Sequence, residues 1–115
     1  MSQESDTIAR EDRDGAVVLS PSGDIDMSRS PLLREAITKA RGDKPARIVV
    51  DLVDVGYMDS SGLATLVEAM KLVRGTGTAL VLCAMNERVR AIFEIARLEQ
   101  YFTIRADLEA ALGGD

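Results

Sequence analysis

The chain predicts an α/β domain: a mixed β-sheet with helices packed mainly on one face. Two apolar runs and the helical repeats around them carry this expectation. Arg47-Ile48-Val49-Val50-Asp51-Leu52 is β-branched and nearly continuous, the pattern of a central strand buried on both faces. Thr78 to Ala84 is a second such run. Between and around them, apolar residues recur at helical spacing, so the unit from Ile48 to Cys83 should be a right-handed strand-helix-strand crossover.

The elements follow in order. Residues 1–14 are polar and charged and read as a flexible N-terminal tail, leaving 15–115 as a single domain. Ala16-Val17-Val18-Leu19 and the stretch Gly23-Asp24-Ile25-Asp26 are short strands on either side of a turn-rich Ser20-Pro21-Ser22-Gly23. Because Pro21 cannot donate to a ladder, both are expected at the sheet edge. Ser30-Pro31 starts a helix, with a hydroxyl cap and Pro at the first position. Its stripe is Leu33, Ala36, Ile37 and Ala40, with an exit at Gly42. Asp59-Ser60-Ser61-Gly62 opens a second helix with the stripe Leu63, Leu66, Val67, Met70 and Val73, ended by Gly75 and Gly77. Asn86 caps a third, with its stripe at Val89, Ile92, Phe93 and Ala96. Tyr101 to Ile104 reads as a short last strand, and Asp107 to Leu112 as a last helical turn or two.

Composition removes several function classes. A length of 115 residues suits one domain. With 46% hydrophobic residues and 3% aromatic, the core must be built from aliphatic side chains. The net charge of −5 argues against nucleic-acid binding, which needs a basic patch; Arg88, Arg90 and Arg97 are interspersed with Glu87, Glu94 and Glu99. The chain has no His, so it holds neither a Ser-His-Asp triad nor a His-ligated metal. Cys83, the single cysteine, lies in an apolar run and reads as a buried structural thiol. No stretch approaches the roughly 20 apolar residues that span a membrane, and the start carries no signal core. The expectation is a cytoplasmic protein with no cofactor and no metal, not an enzyme, and a monomer or weak dimer.

Two clusters could carry chemistry. Tyr57-Met58-Asp59-Ser60-Ser61-Gly62-Leu63 follows a buried strand and opens a helix, where backbone N–H groups and the positive dipole end would stabilise a phosphate on either serine. Ser60 or Ser61 should cap the helix, and Gly62 would let another molecule approach the backbone. Asp-Ser-Ser-Gly is equally good capping chemistry with nothing more to it. Asp24 and Asp26, one residue apart on a strand, would share a face; magnesium there is weakly supported, and glycosidase-type paired acids lack sugar-stacking aromatics. Gly75-Thr76-Gly77-Thr78 has the reverse of the strand-loop-helix order of a phosphate loop and is a helix exit.

Taken together, Gly23 to Asp26, the run Asp51 to Leu63, and Val89-Arg90-Ala91-Ile92-Phe93 resemble the STAS domain, in its branch of bacterial anti-sigma factor antagonists, over about residues 15–112. The resemblance implies an anti-anti-sigma factor whose unphosphorylated form binds a serine-kinase anti-sigma factor and frees the sigma factor. That kinase would phosphorylate Ser60 (Ser61 the alternative), and a serine phosphatase would reverse it. Asp24, Asp26, Asp59, Ser61, Gly62, Ala64 and Glu68 would contact the partner. The alternative is an unphosphorylated STAS subunit of a lipid or anion transport system. Three departures from the family pattern stand out: Ala64 and Arg97 where relatives often have Gly, and Asp24 for the commoner Glu. Arg97 implies that the cap on the third helix differs in detail.

Overall fold

The computed structural model describes residues 8–113. They form a five-stranded sheet in the order β1-β2-β3-β4-β5, with strands β1 (Ala9–Arg13), β2 (Ala16–Ser20), β3 (Arg47–Asp51), β4 (Ala79–Cys83) and β5 (Thr103–Arg105). The helices are α1 (Ser30–Gly42), α2 (Ser60–Val73), α3 (Glu87–Ile95) and α4 (Leu108–Gly113). β1 and β2 are antiparallel, and the remaining neighbours are parallel. The sheet is therefore mixed, as the sequence predicts.

Alternation along the strands sorts the core into two layers. Val17, Leu19, Ile48, Val50, Leu80 and Leu82 face the side covered by α1, α2 and α3, where Leu33, Ile37, Leu66, Val89 and Phe93 meet them. Val18, Val49, Val81 and Cys83 face the other way and are covered by Ala111, Leu108 and Leu112 of α4. Parallel strands buried on both faces need apolar residues at nearly every position, which is why the β3 run is so continuous. Burial pushes the Cys83 thiol up to about 12, with Asp51 adding to it, so at neutral pH it is an inert core group.

Several expectations fail here. The N-terminal tail through Asp14 ends too late: Ala9–Arg13 is β1, paired with β2 from Ala9↔Ser20 to Arg13↔Ala16. Residues 1–7 lie outside the described residues. The hairpin closes on Asp14-Gly15, both at positive φ, the two-residue turn whose twist matches paired strands. All five β1 side chains are exposed; Arg10 pairs with Asp12 at 2.9 Å and Asp43 at 2.6 Å, and Arg13 with Glu11 at 2.8 Å. Those charges keep an edge strand from pairing with other chains. β2 is consequently an interior strand, not an edge.

Gly23 to Asp26 is not a regular strand either. It touches the neighbouring loop through two isolated bridges, Ser22↔Asp54 and Ile25↔Met58. Finally, α1 has Arg29 as its N-cap with no side-chain hydrogen bond, and the expected cap Ser30 is the buried first helical residue.

Arg97 leaves the end of α3 unchanged in form. It adopts φ 60°, its N–H donates to the Glu94 carbonyl at 3.0 Å, and the Leu98 N–H donates to the Phe93 carbonyl at 2.8 Å. This is the Schellman pair of bonds that a glycine ordinarily serves, so the cap differs only in carrying a non-glycine residue in the left-handed region. Asn86 caps α3 as read from sequence, accepting from Val89 N–H at 2.8 Å. Among the described residues no helix is long and apolar enough to cross a membrane.

Candidate functional site

The site is built where two loops run side by side at the C-terminal ends of β2 and β3. Gly23 N–H donates to the Asp54 carbonyl at 3.0 Å, Ile25 N–H to Tyr57 at 2.9 Å, and Asp59 N–H to Ile25 at 3.1 Å. Ile25 and Met58, the residues at the second bridge, are buried to 2% and 0% exposure. They anchor both loops in the core, so the residues that follow each of them are held in register. From the other side, Asn86 Nδ2 donates to the carbonyls of Val55 at 3.3 Å and Gly56 at 3.2 Å, and the Arg88 guanidinium lies 5.6 Å from the centre of the Tyr57 ring.

After Met58 the chain turns directly into α2. Asp59, not Ser60 or Ser61, is the cap. Its Oδ1 accepts from Ser61 N–H at 2.8 Å, Ser61 Oγ–H at 2.6 Å and Gly62 N–H at 3.3 Å. These donors, the Ser61 hydroxyl first, hold the Asp59 carboxyl below the usual carboxylate range, against upward pushes from partial desolvation and, more weakly, from the charge of Asp26. The Ser61 and Gly62 amides already serve Asp59, and the Leu63 N–H donates to the Asp59 carbonyl at 3.2 Å. The helix terminus is thus not an empty anion site. A phosphate arriving there adds charge beside one carboxylate, which corrects the expectation that the terminus would cradle it.

The two serines differ sharply. Ser61 is half-buried and clasped by Asp59, and its carbonyl accepts from Thr65 Oγ1 at 3.0 Å. Ser60 is exposed, and its hydroxyl makes no hydrogen bond among the described residues. Beside it along α2 runs an open groove of about 400 Å³ lined by Leu63, Ala64, Val67, Glu68, Lys71 and Leu98.

The family model described as STAS domain matches residues 7–111. The chain belongs to the STAS domain family. It is 34% identical over 91 residues to the anti-sigma-B factor antagonist of Bacillus subtilis (strain 168), covering 79% of this chain and 83% of that one. It is 32% identical over 94 residues to the anti-sigma-B factor antagonist of Listeria monocytogenes, covering 82% of each. The crystal structure of an anti-sigma factor antagonist from Mycobacterium paratuberculosis superposes with a TM-score of 0.83 at 32% identity, over 94% of this chain and 92% of that one.

Within this STAS domain, the structure gathers most of the residues singled out from sequence. Ser60, Ala64 and Glu68 lie along one flank of α2, although Glu68 is engaged by Arg34 of α1 at 2.9 Å. Asp24 and Asp26 are both exposed but do not act as a pair. A side chain at Gly56 would meet Asp24 Oδ1 at 3.4 Å, whereas Asp26 turns back to accept from Ser28 Oγ at 2.7 Å. Among the described residues no group of acidic, Cys or His side chains could hold a metal ion. Gly62 is buried, and a Cβ there would meet Met58 Cγ at 2.6 Å and Ile25 Cγ2 at 2.9 Å. Its missing side chain serves the core, not an approaching molecule. Sequence reasoning passed over Met27, 75% exposed beside Asp26, and Leu98 in the groove. Met27 was legible as an apolar residue inside a run of turn formers; nothing local marks Leu98.

Proposed function

We propose that this protein is an anti-anti-sigma factor: unphosphorylated, it binds a serine-kinase anti-sigma factor, and phosphorylation at Ser60 switches it off until a serine phosphatase restores it. The observation that carries the reading is an exposed, unengaged serine hydroxyl at the first residue of α2, set between the Asp59 carboxylate and an open groove. The relatives named above are anti-sigma factor antagonists, which supports the same reading.

The mechanism follows from charge and burial. The groove wall of Leu63, Ala64 and Val67 gives a partner apolar surface to cover; Asp24, Asp26, Asp59 and Ser61 form the polar rim, with Glu68 at the far flank. A partner seated there covers a neutral hydroxyl at Ser60. The kinase uses its own ATP and magnesium, so this chain contributes the acceptor and the docking surface and no catalytic group. A phosphoryl group adds about −1.5 to −2 charges next to a carboxylate that already holds the nearest amides. Desolvating that dianion against the partner costs roughly 3–4 kcal/mol, a weakening of a few hundred-fold or more.

The test is kinase affinity for the wild type, Ser60→Ala and Ser60→Asp, with thermal unfolding as the control. Ser60→Ala should bind as tightly as the unphosphorylated protein. Ser60→Asp should bind more weakly, though less so than the phosphoprotein, because one carboxylate carries less charge. Equal, tight binding by both folded variants would remove charge at Ser60 as the switch.

A further inference from the structure

Two adjacent serines stand at the start of α2, and only one is proposed to accept phosphate. We propose that Asp59 is the positioning residue that selects between them, its clasp on the Ser61 hydroxyl withholding Ser61 from the kinase and leaving Ser60 as the acceptor. This inference rests on the phospho-switch reading above and goes beyond it by naming what sets the acceptor.

The argument is geometric. Ser61 Oγ–H donates to Asp59 Oδ1 at 2.6 Å, and the Ser61 N–H donates to the same oxygen at 2.8 Å. Two donors from one residue to one oxygen fix both the backbone and the side-chain rotamer of Ser61. A hydroxyl-to-carboxylate bond of this length belongs to the strong, charge-assisted class. Phosphoryl transfer forms an Oγ–P bond and breaks the bond from the γ-phosphorus of ATP to its bridging oxygen. The hydroxyl proton passes to a base of the kinase, and ADP leaves. At Ser61 that proton already points at Asp59, and the incoming phosphoryl group would sit against the carboxylate. Asp59 does not substitute as the base, since its carboxyl is held below the ordinary range and binds protons weakly. Ser60 is not clasped in this way, and its hydroxyl proton is free to pass to the base of the kinase. It is exposed, and its hydroxyl makes no hydrogen bond among the described residues.

The test has one arm without the kinase and one with it, both on the full chain. In the first, amide resonances of Ser61 and Gly62 are followed from neutral pH down through the carboxylate range. Both should shift with the protonation of Asp59, and Asp59→Gly should abolish the shift. Ser61 and Gly62 amides indifferent to that titration would mean no clasp, and the proposal falls.

In the second arm, phosphate is mapped after incubation with the serine-kinase anti-sigma factor and ATP. Wild type should carry it on Ser60, and Ser60→Ala should carry at most a trace, on Ser61. Ser60→Ala combined with Asp59→Gly should be phosphorylated on Ser61, roughly tenfold or more above Ser60→Ala alone, the scale of one lost charge-assisted hydrogen bond. Glycine is used because it is tolerated at an N-cap, and thermal unfolding checks that the double variant is folded. Ser61 labelled in Ser60→Ala alone as fast as in the double variant overturns the selection while leaving a phospho-switch in place. A folded double variant that stays unlabelled overturns it as well. Wild type unlabelled at both serines overturns the phospho-switch reading and this proposal together, even if the titration reveals the clasp.

Discussion

Asp26-Met27-Ser28 and Asp59-Ser60-Ser61 are the same turn built twice. Each follows a buried residue of the Ile25↔Met58 bridge. Each aspartate accepts from the N–H and hydroxyl of the serine two residues on and from the next N–H: Asp26 from Ser28 at 3.0 and 2.7 Å and Arg29 at 3.2 Å, Asp59 from Ser61 at 2.8 and 2.6 Å and Gly62 at 3.3 Å. In both, the middle residue is left in solvent, Met27 in one and Ser60 in the other. The turns part at the next step. Asp59 is itself the N-cap of α2, whereas α1 begins four residues after Asp26, behind an Arg29 that makes no side-chain cap. The reason lies in Gly62, whose bare Cα packs on Met58 and Ile25 and lets α2 start directly against the bridge. One turn therefore presents an apolar side chain from a loop, and the other presents a hydroxyl from a rigid helix end.

The change that should break this difference most is Gly62→Ala. The added methyl has no room between Met58 and Ile25, and overpacking a filled core costs about 2 kcal/mol. Denaturant or thermal unfolding reads it directly. A stability equal to wild type would mean that the bridge yields and that Gly62 does not set the start of α2.

Removing the two aspartates should sharpen the comparison. Asp59→Ala takes away a helix cap and should lower Tm by about 4 °C at neutral pH, while Asp26→Ala, which caps no helix, should lower it less. Asp59 has its carboxyl lowered by the fold, so its contribution is complete above the ordinary carboxylate pKa and is lost as pH falls through the lowered one. The gap in Tm between wild type and Asp59→Ala should thus close below about pH 4. A gap that persists in strong acid would assign the effect to something other than the ionised cap.

The smallest effect is expected at Ser60 itself. Because Asp59 caps α2, Ser60→Ala loses no hydrogen bond among the described residues and should change stability by less than about 0.5 kcal/mol. A larger loss on unfolding would give Ser60 a structural role and weaken its standing as a free acceptor.

The β3 and β4 runs, the helical stripes apart from Ala96, which is exposed at the end of α3, and the Asn86 cap were legible because each depends on the residue's own stretch of chain. β1 was missed even though Asp14-Gly15 is a strong hairpin signal, because every β1 side chain is exposed and no apolar alternation marks it. The interior place of β2 was hidden for the same reason, since it follows from β1 lying beside it. Ser30, Ser60 and Ser61 read equally well as caps. Which oxygen reaches the free amides depends on where the preceding residue is anchored: the Ile25↔Met58 bridge sets Asp59 at the cap of α2, whereas α1 starts behind Arg29 with no side-chain cap.

What the sequence determined by itself is the α/β pattern and the Asp-Ser-Ser-Gly helix start, because hydrophobic period and turn chemistry are local. Tertiary structure decided what that start presents. The clasp of an aspartate on the serine two residues on is a local turn, made at Asp26 and Ser28 as well as at Asp59 and Ser61. Only the packing of Gly62 on Met58 and Ile25 sets the second turn directly at the head of a helix, so that the unclasped Ser60 stands on a rigid end beside the groove and not in a loop.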